Sequence, residues 1–251
     1  MQKSKQLFFD FSGQCAIVTG AAQGIGQAVA VALAEAGADV VALDLSESVV
    51  DPPKQGLPGW HGTVADVSDP ARIASVVTSC IREFGSPDIV MNIAAISTPC
   101  SVKDMTFETW RRMIDVNLSS VFLLVREVLP FMVAQGSGAI VNFSSMVAST
   151  GGKTSAHYSA AKGGVEGFSR SLAAEAGPHG IRVNLIAPGM VDTPMLDLMP
   201  VSQRDKLVQR IPLKRPGVPE DFIGLALLLA SDAGSYINGQ TFHVNGGMYM
   251  T

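Results

Sequence analysis

The chain has 251 residues, of which 47% are apolar and only 16% charged, with a formal net charge of −4. That length and apolar content suffice for a sizeable buried core and exclude a disordered chain. An acidic balance without a long basic cluster argues against nucleic acid or an anionic membrane surface as partner.

Taken in order, Met1 to Asp10 reads as an irregular lead-in that lacks the continuous apolar core of a signal peptide. Cys15-Ala16-Ile17-Val18 predicts a short buried strand. The Gly-rich turn Thr19-Gly20-Ala21-Ala22-Gln23-Gly24-Ile25-Gly26 follows, then a helical segment from Gln27 to Ala36 closed by Gly37. A second strand, Val40 to Leu43, ends in Asp44. Strand, glycine turn, helix and strand form the sequence pattern of a βαβ unit.

The chemistry of that turn favours a pyrophosphate. Glycines let a phosphate approach backbone amides with no Cβ between them, and the helix start adds free N–H groups and a positive dipole end. Asp44 stands eighteen positions beyond Gly26. A carboxylate there accepts hydrogen bonds from an adenosine ribose and repels a 2′-phosphate. No Arg or Lys occurs between Gly20 and Asp51, so NAD is expected in preference to NADP.

Asp51 to Gly59 is rich in turn residues, and Trp60 to Val64 predicts a third strand. Asp69-Pro70 reads as a helix cap followed by Pro at the first helical position, with the helix running to about Phe84. Asp88 to Asn92 is a fourth strand, opening into the loop Ile93-Ala94-Ala95. One long helix is expected from about Phe107 to Ala134, with Asn117 at its middle, either as an ordinary residue or displacing a backbone bond and holding a water. A fifth strand, Ala139 to Phe143, leads into Ser144-Ser145, and a helix then continues to about Ala176. Ile181 to Ile186 is a sixth strand. Residues 194–217 form an excursion with a short helix, rich in Met and Leu, and Pro219 starts another helix. Gln240 to Val244 is the last strand. Strands alternating with helices predict a doubly wound parallel sheet of about seven strands, helices on both faces, in a single domain.

In such a sheet the ligand lies beyond the carboxyl ends of the strands. Ser145 follows a strand, and Tyr158 and Lys162 lie one helical turn apart on one face. An ammonium beside a phenol favours the phenolate, so Lys162 is expected to lower the pKa of Tyr158. Tyr158 then exchanges a proton with a substrate oxygen that Ser145 holds by a hydrogen bond. His157 is a further candidate for substrate contact. His61, His179 and His243 form no metal-like cluster. Cys15, Cys80 and Cys100 have no CxxC spacing, and read as small, reduced, mostly buried residues of a cytoplasmic protein.

These residues together resemble the short-chain dehydrogenase/reductase family across nearly the whole chain. Thr19 to Gly26 is similar to its TGxxxGxG cofactor turn, and Ser145, Tyr158 and Lys162 keep its Ser-x12-Tyr-x3-Lys spacing. The resemblance implies a catalytic set of Asn117, Ser145, Tyr158 and Lys162, the Asn holding a water of a proton relay. It implies cofactor contacts at Gly20, Gln23, Gly24, Ile25, Gly26, Asp44 and Leu45. Asp66 and Val67 fall at the adenine, with Asn92 and Ala94 in the middle. Tyr158, Lys162, Pro188, Gly189, Val191 and Thr193 fall at the nicotinamide. Substrate contacts are expected from Ser145, Val147, His157, Met190 and Met195, under a lid over residues 190–217. A homotetramer is implied as well. The family's Asn-Asn-Ala-Gly signature appears here as Asn92-Ile93-Ala94-Ala95, which removes one sheet-holding amide and adds a methyl beside the cofactor.

The leading expectation is an NAD(H)-dependent oxidoreductase for a secondary alcohol, a polyol or sugar included, and its ketone. A 3-oxoacyl-thioester reductase is the alternative within the family. A dinucleotide-sensing protein without catalysis is the alternative outside enzymes.

Overall fold

The computed structural model of the protein describes residues 9–197 and 199–250. Most of the expected lead-in from Met1 to Asp10, and Leu198 in the late excursion, lie outside the described residues. Among the described residues, seven strands form one sheet: β1 (Cys15–Thr19), β2 (Asp39–Asp44), β3 (Trp60–Val64), β4 (Ile89–Asn92), β5 (Gly138–Phe143), β6 (Ile181–Pro188) and β7 (Thr241–Val244). All pairings are parallel, in the order β3-β2-β1-β4-β5-β6-β7.

Alternate residues of the central strands feed two separate cores, as a sheet covered on both faces requires. Ile17, Val90, Ile140 and Val183 pack with α2 (Pro70–Phe84), α4 (Ser120–Gln135) and α6 (Ala156–Ala176). Ala16, Val18, Met91 and Val141 face α1 (Gly24–Glu35) and α9 (Ile223–Ala230). The start of α2 is the expected one: the Asp69 side chain accepts from the amides of Ala71 (2.9 Å) and Arg72 (3.2 Å), with Pro70 at the first position.

The chain runs outward from β1 to β3, then crosses back to β4 on the other side of β1. This reversal opens a crevice beyond the carboxyl ends of β1 and β4, the place where open parallel sheets bind ligands.

Three helical expectations are corrected. The long helix over 107–134 is α3 (Phe107–Ile114) and α4 joined by a π turn, Asp115–Ser119. Asn117 causes the break: its carboxamide nitrogen donates to the Met113 carbonyl at 3.0 Å, four residues back, and competes with the helical ladder. The whole stretch is apolar and long enough to cross a membrane, but half of it is buried inside the protein. The helix after Ser145 is two pieces, α5 (Val147–Thr150) and α6, separated where Gly151 and Thr154 take positive φ values of 67° and 59°. The excursion carries two short helices, α7 (Pro194–Asp197) and α8 (Val201–Arg210).

Candidate active site

The glycine turn is shaped by contacts that exclude side chains. Gly20 leaves β1 with φ +73°, and a Cβ there would lie 2.9 Å from the Ala94 backbone. Gly26 faces the Gly20 carbonyl so closely that it has no room for a Cβ. The Thr19 hydroxyl accepts from the amides of Ile93 (3.0 Å) and Ala94 (3.1 Å), binding the β4 exit loop to the turn. Asp44 braces the other side: its two carboxylate oxygens accept from Ala22 N and Ser46 N, each at 3.0 Å. No side chain caps α1 at Gln23, so its first-turn N–H groups are not taken up by a cap. A glycine cradle, an uncapped helix start and an acid beside them fit the pyrophosphate and ribose of a dinucleotide.

A cavity of about 550 Å³ runs from this cradle across the crevice to Ser145, Tyr158 and Lys162. At that end the Met146 amide donates to Pro188 O (2.9 Å), fixing the segment after β5 against β6. The Ser145 hydroxyl lies on the same cavity wall as the Tyr158 phenol, close enough to favour its ionised form. Lys162 is buried, donates to the Phe143 carbonyl at 2.7 Å, and lies 5.9 Å from the centroid of the Tyr158 ring.

The electrostatics differ from the expectation that Lys162 lowers the phenol. Tyr158 opens onto the cavity but lies deep in the protein, and burial pushes its phenol up to about 12 against the lowering effect of Ser145. Burial also pushes the Lys162 amine down to about 8. In the protein alone, desolvation dominates the ionisation of both groups. A protonated phenol and a serine hydroxyl side by side can both donate to a carbonyl oxygen that enters the cavity.

The cavity is lined by Gly20, Gln23, Gly24, Ile25, Gly26, Asp44 and Leu45 at one end, and by Asp66, Val67 and Ala94 in its middle. Pro188, Gly189, Val191 and Thr193 line the part nearer Tyr158 and Lys162, with Val147, Met190 and Met195 beyond. Three expected residues are elsewhere. Asn92 is buried in the sheet, where its amide donates to Asn142 Oδ1 and Asn142 donates to Ser169 Oγ, each at 2.8 Å. This chain supplies a polar tie between sheet and α6, although the second Asn of the family signature is absent. His157 is fully buried away from the cavity: it precedes its neighbour Tyr158 by about 100° around the helix, which turns it into the packed side. Among the described residues its ring nitrogens have no hydrogen-bond partner. Asn117 is also buried outside the lining, exchanging hydrogen bonds with the backbone of Ile96 (3.2 and 3.0 Å). It shapes the cavity wall through Ile96 and Val116, which do line it.

Sequence reasoning missed Arg112, Met146, Leu207 and Met248, all in the lining. Arg112 bonds Asp66 Oδ2 (3.3 Å) and Ser68 Oγ (2.8 Å) from far along the chain. Met248 comes from the turn after β7. Neither position has a local sequence signal.

Comparison with known proteins agrees with this geometry. The model of the family described as enoyl-(acyl carrier protein) reductase matches residues 20–249. The 3-oxoacyl-[acyl-carrier-protein] reductase FabG of Escherichia coli K12 is 40% identical over 242 residues, covering 96% of this chain and 99% of that protein. The FabG of Thermotoga maritima is 38% identical over 240 residues, covering 94% and 98%. A solved Agrobacterium tumefaciens structure, assigned as a gluconate dehydrogenase, superposes with a TM-score of 0.91 at 32% identity, covering 97% and 98%. The chain belongs to the short-chain dehydrogenase/reductase family. It is an oxidoreductase of that family, which works with a nicotinamide cofactor.

Proposed function

We propose that this enzyme interconverts a secondary alcohol and its ketone with NAD(H). The carrying observation is one continuous cavity with the glycine cradle and Asp44 at one end and the paired hydroxyls of Ser145 and Tyr158 at the other. A bound nicotinamide supplies or accepts the hydride there. Ser145 holds the substrate oxygen by a hydrogen bond. Tyr158 gives its proton to that oxygen in reduction and takes it back in oxidation. Lys162, with an amine near 8, holds the nicotinamide ribose and brings positive charge to the phenol. Asn117 keeps the wall of Ile96 and Val116 in place.

Asp44 supports NAD over NADP. The cations in the cavity lining are Lys162, at the reacting end, and Arg112, already engaged by Asp66 and Ser68. The cavity beyond Tyr158 supports a neutral substrate with an apolar arm: Met146, Met190, Met195, Leu196, Met199 and Leu207 line it. We read residues 190–217 as the lid of a single catalytic domain. Phe122 is 45% exposed on α4, edge-on to Phe168 of α6. We assign this apolar face to a homotetramer, and the enzyme to the cytoplasm. The same apolar wall and the FabG relatives support a second reading, reduction of a 3-oxoacyl thioester.

The test is steady-state turnover of secondary ketones, sugars and 3-oxoacyl thioesters with NADH and with NADPH. The expected result is kcat/KM at least about tenfold higher with NADH, a difference of ~1.4 kcal/mol. Preference for NADPH overturns the reading of Asp44, and the thioester rate against the simple ketone rate decides between the two substrate classes.

A further inference from the structure

Cys15 opens β1, and Cys80 lies one turn before the end of α2. Both are 2% exposed, and their sulfur atoms are 3.4 Å apart. Cys15 is held from both sides by Asp88, whose carboxylate accepts from the Cys15 amide and whose amide donates to the Cys15 carbonyl, each at 2.8 Å. Cys80 is held by the packing of α2, with Ile73, Val76 and Val77 in the same core. A disulfide has its sulfurs ~2.05 Å apart, so the pair has to close by only a little more than an ångström.

Cys80 also lines a second cavity, separate from the active site, of about 150 Å³. Its polar walls are His61, Thr63, Arg72, Ser75, Ser79 and Glu83. That volume is several times the ~30 Å³ that one water molecule occupies in the liquid. Hydrogen peroxide, little larger than water and equally polar, fits it. Cys100 is not part of this pair and is more exposed.

We propose that Cys15 and Cys80 form a peroxide-sensitive dithiol that closes to a disulfide and ties β1 to α2. The inference is independent of the cofactor and substrate readings above. The hydrogen bond between the two sulfurs, with burial added to it, pushes the Cys15 thiol up. The same bond holds the Cys80 thiol below its ordinary range. Cys80 is therefore the sulfur that reacts first, because the thiolate is the nucleophile and the cavity reaches it.

The steps balance. The Cys80 thiolate attacks one oxygen of hydrogen peroxide; an S–O bond forms, the O–O bond breaks, and hydroxide leaves with the proton the thiol gave up, as water. Cys15 sulfur then attacks Cys80 sulfur; the S–S bond forms, the S–O bond breaks, and the second water carries away the Cys15 proton. Two thiols are oxidised to a disulfide and one peroxide is reduced to two waters.

The test treats the folded full chain with a small excess of hydrogen peroxide, blocks free thiols by alkylation, and maps the peptides without reduction. The expected result is loss of two of the three thiols, a linked Cys15–Cys80 peptide, retention of Cys100, and return of both thiols with dithiothreitol. In Cys15→Ala, dimedone should trap a sulfenic acid at Cys80. Three intact thiols, or oxidation of Cys100 with Cys15 and Cys80 both still reduced, overturns the proposal. A dimedone adduct on Cys15 in Cys80→Ala, with none on Cys80 in Cys15→Ala, overturns the assigned order.

Discussion

Replacing Lys162 with Met removes a buried amine while keeping most of the side chain's length. Burial lowers the lysine from its ordinary 10.5 to about 8, and at ~1.36 kcal/mol per pKa unit the fold bears about 3 kcal/mol for holding it charged at neutral pH. The sign follows from the lowered value. Between pH 8 and pH 10.5 the folded state binds fewer protons than the unfolded state, so stability rises with pH. The cost is full below pH 8 and gone above pH 10.5. From pH 7.5 to 9.5, wild type should gain about 2 kcal/mol from this residue, and Lys162→Met should not. The variant also strands the Phe143 carbonyl that Lys162 bonds, a cost of about 1–3 kcal/mol that does not change with pH. Urea unfolding of both proteins at the two pH values, at one fixed protein concentration, isolates the lysine. Parallel pH dependence in the two proteins, within ~0.5 kcal/mol, would refute the reasoning. Turnover should be lost in the variant even where its stability exceeds that of wild type, since the ammonium serves the reaction and not the fold.

Tyr158→Phe should lower kcat by about 10²–10⁴-fold with NADH affinity kept within twofold or so, read by stopped-flow turnover and fluorescence titration; full turnover would remove Tyr158 from the proton path. Asn92→Ala should cost about 1–3 kcal/mol in unfolding free energy by stranding the buried Asn142 Oδ1. Its KM for cofactor should stay at the wild-type value, and a large rise in that KM would return Asn92 to the cofactor site.

The fold was legible because local chemistry and topology agree. Short apolar runs, a capped Asp69-Pro70 start and the glycine turn each specify their own element, and parallel crossover rules leave few ways to assemble them. Gly26 and Asp44 were readable for the same reason: the contacts that restrict them lie within or beside one βαβ unit, whereas the contact that restricts Gly20 comes from Ala94, beyond β4. Asn117 was readable as an irregular point because its bond to Met113 is local, whereas its hold on Ile96, twenty-one positions away, was not. Asn92 and His157 misled because sequence adjacency to a site says nothing about the direction of a side chain. Arg112 and Met248 reach the cavity only through the tertiary fold, so no local pattern marks them. The ionisation of Tyr158 and Lys162 was misjudged for a related reason: spacing reveals the partner charge, whereas burial is set by the whole surroundings.

The π turn at Asp115–Ser119 has a consequence for how this protein can change. A π turn holds one residue more than the α-helical path it interrupts, so it behaves as an inserted residue absorbed within a helix. Deleting one residue there would let α3 and α4 join as one regular helix with the residues after it facing as they do now, because the turn has already taken up the extra position. Phe122, exposed on α4, would keep its direction, while removal of Asn117 itself would take from Ile96 the carboxamide that holds it. The active-site wall and the outer apolar face are thus separable. Lineages or designs can shorten the helix at this point and rebuild the wall while the outer face stays as it is.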